Sequence, residues 1–323
     1  MKIFITGITG FVGSHFVDYL LKNTDVEIHG LSRWRSPKEN ILHCIDKIKL
    51  HHGDLLDFSS LYKIFKELKP EMIVHSAAQS YVVYSFKAPS STLDTNIIGT
   101  CNLIEVIRIL KEEDGYNPII QIISSSEVYG QVQEKEVPIT EDCFLRPASP
   151  YAVSKVGEDM LGFQYFKSYG LKTIRTRAFT HSGPRRGDVF CVSNFAKQIA
   201  MIEKNKQEQI IYVGNLDSIR TFVDVRDMVF AYWLSINKCE PGEVYNIGGV
   251  DTMTVGAMLN ELLKMSYKKD IKTEIDPQRL RPSDVTLQIP CIDKFVDKTG
   301  WKPKIPFHNT LYDILTYWRN KIA

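Results

Sequence analysis

No stretch of this chain approaches the roughly 18 consecutive apolar residues that a membrane-spanning helix requires. Its opening is too polar for a secretory leader, so a cytoplasmic location is expected. An excess of one charge sign is also missing: 40 basic residues face 38 acidic ones, for a formal net charge of +2. That balance gives no reason to expect a nucleic acid or a membrane surface as partner. The six cysteines, Cys44, Cys101, Cys143, Cys191, Cys239 and Cys291, show no Cys-x-x-Cys spacing, which argues against a zinc site and a disulfide framework. Most are expected to be buried thiols. The histidines, including the His51-His52 pair, follow no metal-ligand pattern. Internal repeats, low-complexity tracts and long linkers are absent as well, so nothing suggests independently moving domains.

What the chain does have is rhythm. Short β-branched runs, KIFITG, VEIHGLS, IKLHHGD, MIVHSAA, IIQIISSS and LKTIRTRAF, alternate with amphipathic stretches such as SSLYKIFKEL. This pattern predicts an α/β fold with a doubly wound parallel sheet, Rossmann-like, over residues 1–178. From 179 to 323 the rhythm loosens into a smaller α/β substrate-binding part, with returns to the sheet expected near 219–248. The first strand runs straight into Gly7, Gly10 and Gly13, followed by the helical pattern FVGSHFVDYLLKN with Phe11 and Val12 at its head. Glycine is needed where a strand turns sharply into a helix and its backbone approaches a pyrophosphate.

The segment after the second strand identifies the expected cofactor. It reads LSRWRSPKEN, without the acidic residue that would bind ribose hydroxyls; Arg33, Arg35 and Ser36 stand where an extra 2′-phosphate would lie. The expectation is NADP rather than NAD. A solvated basic loop is the simpler alternative. Asp54 and Leu55 suit an adenine pocket, and Ala77 and Ala78 are small enough to let the cofactor pass. Tyr151 and Lys155 lie one helical turn apart, so the ammonium can lower the phenol's pKa and prepare it to take a hydroxyl proton. Ser125, ending the strand IIQIISSS, completes that relay. Tyr151 and Lys155 also belong to the expected cofactor contacts.

These motifs resemble the extended short-chain dehydrogenase/reductases acting on nucleotide sugars, and within them the GDP-mannose 4,6-dehydratase group. The likeness spans TGITGFVGSH, HSAAQSYV, SSSEVYG, RPASPYAVSK, HSGPRRG, GNLDSIRTFVDVRDM, RPSDV and GWKP. The resemblance implies that Ser125, Ser126 and Glu127 replace the group's Thr-Ser-Glu triplet, with Glu127 as the base over C5. A strand-end glutamate serving only as a local hydrogen-bond acceptor is the competing structural explanation. It further implies that Arg220, Arg281 and Asp284 hold the nucleotide, and that Arg185 and Arg186 lie near cofactor, nucleotide or a neighbouring subunit. Two phosphates call for fixed positive charge, which arginine presents bidentately. Val192, Asn194 and Lys197 are placed along base and sugar, with His181 near cofactor or substrate.

Thr180 stands where the group carries an asparagine near the sugar, and the insert before the Arg-Pro motif is short. GDP-mannose, GDP-N-acetylglucosamine and GDP-heptose therefore all remain as substrates. The implied enzyme is a hydro-lyase feeding surface polysaccharide synthesis, assembled as a homodimer or homotetramer. A GDP-4-keto-sugar reductase and a 4-dehydrogenase or epimerase are the alternative activities. A nucleotide-sensing protein without catalysis is disfavoured by the Tyr151/Lys155 pair.

Overall fold

The computed structural model describes residues 1–280 and 282–322. Its first six strands are β1 (Lys2–Thr6), β2 (Glu27–Ser32), β3 (Lys49–His52), β4 (Met72–His75), β5 (Ile119–Ser125) and β6 (Lys172–Ala178). They continue as β7 (His181–Ser182), β8 (Ile210–Val213), β9 (Ile219–Asp224), β10 (Val244–Ile247), β11 (Asp251–Thr254), β12 (Lys272–Ile275) and β13 (Leu287–Gln288). Seven of them form one parallel sheet in the order β10-β6-β5-β4-β1-β2-β3. The expected doubly wound α/β architecture is therefore present. Chain direction across the sheet reverses between β1 and β4, and a crevice opens beyond their carboxyl ends, the usual ligand position in such sheets.

Apolar strands with helices on both faces make two cores. On one face, Phe16, Val17 and Leu20 of the helix Phe11–Asn23 pack with Met228, Val229 and Tyr232 of the helix Val225–Lys238. On the other, Leu61 and Phe65 meet Leu103, Ile104 and Ile107 from the helix Gly99–Asp114. A further core gathers under the smaller sheets, from the helices Cys191–Glu203, Val255–Lys264 and Phe307–Lys321. There β9 lies between β11 and β13 and also pairs with β7, while β8 pairs with β12. Among the described residues no helix is long and apolar enough to cross a membrane.

The thiols depart from expectation. Cys44 and Cys239 are buried, but Cys101, Cys143 and Cys291 are half-buried and Cys191 is exposed. The last begins a helix at the crevice wall and so cannot enter a core.

The helix Pro150–Tyr169 begins with Ser149 accepting from the Ala152 N–H and Pro150 in the first turn, and ends at Gly170 in a left-handed conformation. Its Asp159, fully buried, accepts from Arg175 Nη1 at 2.9 Å and Arg177 Nε at 2.9 Å, both on β6. Arg177 also donates to the Tyr129 hydroxyl, which donates to Asn246 on β10. Removing one partner from such a buried set strands charge in a poor solvent. Asp159→Asn should therefore cost about 3–5 kcal/mol in urea denaturation; a loss below about 1 kcal/mol would show that the network is not a stabilising joint.

Candidate active site

The glycine turn after β1 shapes the floor of the crevice. Gly7 has φ +73°, and a Cβ there would lie 2.9 Å from the Ala77 nitrogen; a Cβ on Gly13 would come within 2.2 Å of the Gly7 carbonyl oxygen. Only glycine lets the turn, the β4 end and the helix Phe11–Asn23 come this close. Gly10 caps that helix without a side-chain hydrogen bond, leaving its first N–H groups for an anionic group. Gly7, Gly10, Phe11, Val12, Gly13, Ala77 and Ala78 all line the crevice, which encloses about 340 Å³. The backbone cradle thus fits the pyrophosphate of a dinucleotide.

Opposite the cradle stand Ser125, Ser126, Glu127, Tyr151 and Lys155. The carboxyl end of β5 delivers the first three, and the first turns of the helix Pro150–Tyr169 deliver the other two. Ser125 Oγ accepts from the Glu127 N–H at 3.2 Å. The Glu127 carboxylate makes no side-chain hydrogen bond or ion pair among the described residues, so it does not serve as a local capping group. Lys155 Nζ donates to the Ile123 carbonyl at 2.9 Å and to Glu158 Oε2 at 2.7 Å.

The electrostatics modify the simple tyrosine-lysine expectation. Burial pushes the Tyr151 phenol above its ordinary pKa; Lys155 and Ser125 oppose this without reversing it, and the Glu158 and Glu127 charges raise it further. Burial disfavours the Lys155 ammonium, but Glu158 and then Tyr151 outweigh it, leaving Lys155 raised. Burial also lifts the Glu158 carboxyl, to about 7, against the pull of Lys155. Lys155 is thus shared between phenol and carboxylate, and the expected lowering is not the net result. His181, stacked on Phe11 with Nδ1 2.9 Å from the Phe179 carbonyl oxygen, is lowered to about 4 by burial and the Arg186 charge.

The remaining candidates divide between crevice and elsewhere. Thr180, His181, Arg186, Val192 and Arg220 line it. The Arg186 guanidinium lies 3.5 Å from the Phe190 ring centroid and 4.9 Å from that of Phe11. Arg185 points away instead, pairing with Asp18 and donating to the Asn40 carbonyl, which fixes its loop to the first helix. Asn194 and Lys197 do not form part of the crevice wall: they share a helix face turned to Asp188, which Lys197 pairs with at 2.6 Å, while Asn194 accepts from Arg279. Both side chains are thus engaged by local partners here and do not line the crevice.

Asp284 accepts from Asn215 and Ser218 at 3.0 Å each and stands 3.6 Å from Arg220. Arg281 lies outside the described residues. Arg33 and Arg35 are exposed just past β2 with Ser36 beside them, and Asp54 and Leu55 follow β3; none lines the crevice. Leu55 is in the core, and Asp54 accepts from the Leu56 N–H.

Sequence reasoning missed Tyr81, Phe190 and Gln288, which also form crevice walls. Tyr81 and Phe190 meet edge to face at 6.2 Å, a contact between distant segments that no local spacing reveals. Gln288 arrives through β13 pairing with β9, and its only signal was proximity to the Arg-Pro motif.

Glu158→Gln removes the charge that competes for Lys155 and raises Tyr151. The Tyr151 phenol should then ionise at lower pH, read as tyrosinate absorbance in a difference titration against Tyr151→Phe made in each background. An unchanged or higher ionisation pH would contradict the shared-lysine account.

Comparison with known proteins agrees with this geometry. The family model described as GDP-mannose 4,6 dehydratase matches residues 4–314. A GDP-6-deoxy-D-mannose reductase from Pseudomonas aeruginosa is 32% identical over 99% of this chain and 98% of its own length. A GDP-mannose 4,6-dehydratase from Yersinia enterocolitica is 32% identical over 94% of this chain and 90% of its own. The solved structure of RMD from Pseudomonas aeruginosa complexed with NADPH superposes with a TM-score of 0.84, at 31% identity, covering 99% of both chains. With a glycine cradle, a tyrosine-lysine helix and a serine-serine-glutamate strand end facing one crevice, this chain belongs to the GDP-mannose 4,6-dehydratase family.

Proposed function

We propose that the protein is an NADP-dependent GDP-sugar 4,6-dehydratase, giving a GDP-4-keto-6-deoxy sugar. The observation that carries this reading is the Glu127 carboxylate, held at the crevice beside Ser125 and Tyr151 without a side-chain partner among the described residues. Simple oxidation or reduction at C4 needs only an acid–base at that oxygen. Elimination needs a second base, at C5.

A nicotinamide dinucleotide whose pyrophosphate lies in the glycine cradle would supply the hydride acceptor for C4 and, after elimination, the hydride donor for C6. Ser125 and Tyr151 hold the C4 hydroxyl, and Tyr151 takes its proton as the C4–H leaves as hydride. Lys155 stabilises the phenolate form of Tyr151 that accepts this proton. The C4 ketone acidifies C5–H; Glu127 removes that proton and passes it to the C6 hydroxyl, which departs as water. Hydride would then add to C6 while C5 takes a proton from solvent and Tyr151 gives its own back to solvent, so that enzyme and cofactor would end as they began.

Residues 1–178 serve the cofactor in this reading, and 179–323 mainly the GDP-sugar. Arg220 and Arg186 face the diphosphate, with Asp284 orienting Arg220 and Arg281 completing the group. Thr180 and Ser126 contact the hexose. Arg33, Arg35 and Ser36, at the end of β2, meet the 2′-phosphate; the NADPH bound by the Pseudomonas structure supports that choice. Asp54 and Leu55 serve the adenine end. The active protein is a homodimer or homotetramer.

A GDP-4-keto-6-deoxy-sugar reductase is the second reading, favoured by the end-to-end match to the Pseudomonas reductase. A 4-dehydrogenase or epimerase would share the first oxidation. Glu127→Gln separates these readings: it should abolish water loss while C4 oxidation persists as transient NADPH absorbance. Full dehydration by the variant would remove Glu127 from its assigned role. Arg33→Ala with Arg35→Ala should raise KM for NADP about 10- to 100-fold and leave that for NAD unchanged, from the loss of charge-assisted bonds; equal effects on both cofactors would refute the 2′-phosphate assignment.

A further inference from the structure

Gln288 is 2% exposed, yet it forms part of the crevice wall with Ser126, Glu127 and Arg220. Its backbone is fixed by pairing of β13 with β9, where Gln288 stands opposite Arg220, and its carbonyl accepts from Thr221 Oγ1 at 3.3 Å. Its side chain is fixed at one end only: Ser126 Oγ donates to Oε1 at 3.1 Å. The other end, Nε2, is buried and has no hydrogen-bond partner among the described residues. With Ser126 donating to the amide oxygen, the atom left without a partner among the described residues is the amide donor.

Buried amide groups are nearly always satisfied, because stripping water from an N–H without replacing it is unfavourable. An unsatisfied amide at the wall of a crevice is satisfied by what binds there. Its neighbours limit the ligand group. On one side is Ser126, adjoining the Glu127 base; on the other is Arg220, which faces the diphosphate in the reading above. Between a C5 base and a phosphate-binding arginine lies the sugar ring. A neutral amide donor suits a neutral acceptor, and the hexose offers hydroxyl oxygens.

We infer that Gln288 is a sugar-reading residue, its amide donating to a hexose hydroxyl oxygen other than the one at C4, while Ser126 holds it in register. This rests on the GDP-sugar assignment. In a purely structural role, Gln288 would only brace Ser126, and its free end would meet no ligand.

The test uses NADPH-loaded enzyme, which neither eliminates nor reduces a GDP-hexose lacking a 4-ketone. Dissociation constants are measured by calorimetry for GDP, GDP-mannose and GDP-N-acetylglucosamine, then for the 2-, 3- and 6-deoxy analogues of the tighter sugar. Gln288→Met removes the donor at similar volume. It should weaken the parent GDP-sugar about 10- to 100-fold while GDP and NADPH affinities hold, the loss expected for one buried hydrogen bond. One deoxy analogue should bind wild type and variant alike, and so identify the hydroxyl that is read.

Equal weakening of the parent and every analogue, or no weakening at all, would overturn the inference. Failure of wild type to bind GDP would instead overturn the GDP-sugar reading, and the inference with it. If Gln288→Met loses NADPH or GDP affinity, Gln288→Glu, which still accepts from Ser126 but offers no amide donor, is put through the same comparison with the same deciding outcomes.

Discussion

The site depends on where the helix Pro150–Tyr169 lies against β5 and β6. Among the interactions that hold it, two bear on the site: Asp159 accepts from Arg175 and Arg177, and Lys155 donates to the backbone carbonyl of Ile123. The first joins the helix to β6 and, through Tyr129 and Asn246, to β10. The second connects the helix directly to the strand that ends in Ser125. Buried charges tolerate little displacement, because each group that moves away leaves another unpaired in a poor solvent. Tyr151, Ser125 and Glu127 therefore share a fixed frame although they come from separate segments.

That frame has an electrostatic consequence. Lys155 does not act on Tyr151 alone, since Glu158 competes for the same ammonium. Burial holds the phenol above its ordinary pKa against the pull of Lys155 and Ser125. The phenol must give up its own proton before it can take one from the C4 hydroxyl, and that hydroxyl proton becomes acidic as hydride leaves C4.

Much of this was legible in the sequence, for reasons that are local. Parallel strands buried on both faces read as continuous apolar runs, so β1, β4 and β5 appear directly in the residue order, while the half-exposed edge strand β3, KLHH, shows less clearly. The glycines after β1 and the Tyr151/Lys155 pair carry their geometry within one turn, and all reach the crevice. What failed to show was set by partners distant in sequence. The residue order places Lys197 along base and sugar without revealing Asp188 as its partner, and Arg185 looks equivalent to Arg186 until Asp18 claims it. Gln288 was invisible because its place comes from β13 joining β9, and the sheet register cannot be read from a two-residue strand. The Lys155–Glu158 pair lay in plain sight at helical spacing, but only burial gives it weight.

The central claim is that one crevice carries out oxidation, elimination and reduction with a cofactor that is regenerated. GDP-mannose deuterated at C4, incubated with the enzyme and a catalytic amount of NADP, tests it most directly by mass spectrometry and NMR of the product. The account predicts loss of one water, no net NADPH, and deuterium recovered at C6. Deuterium retained at C4, or released into NADPH without water loss, would contradict it.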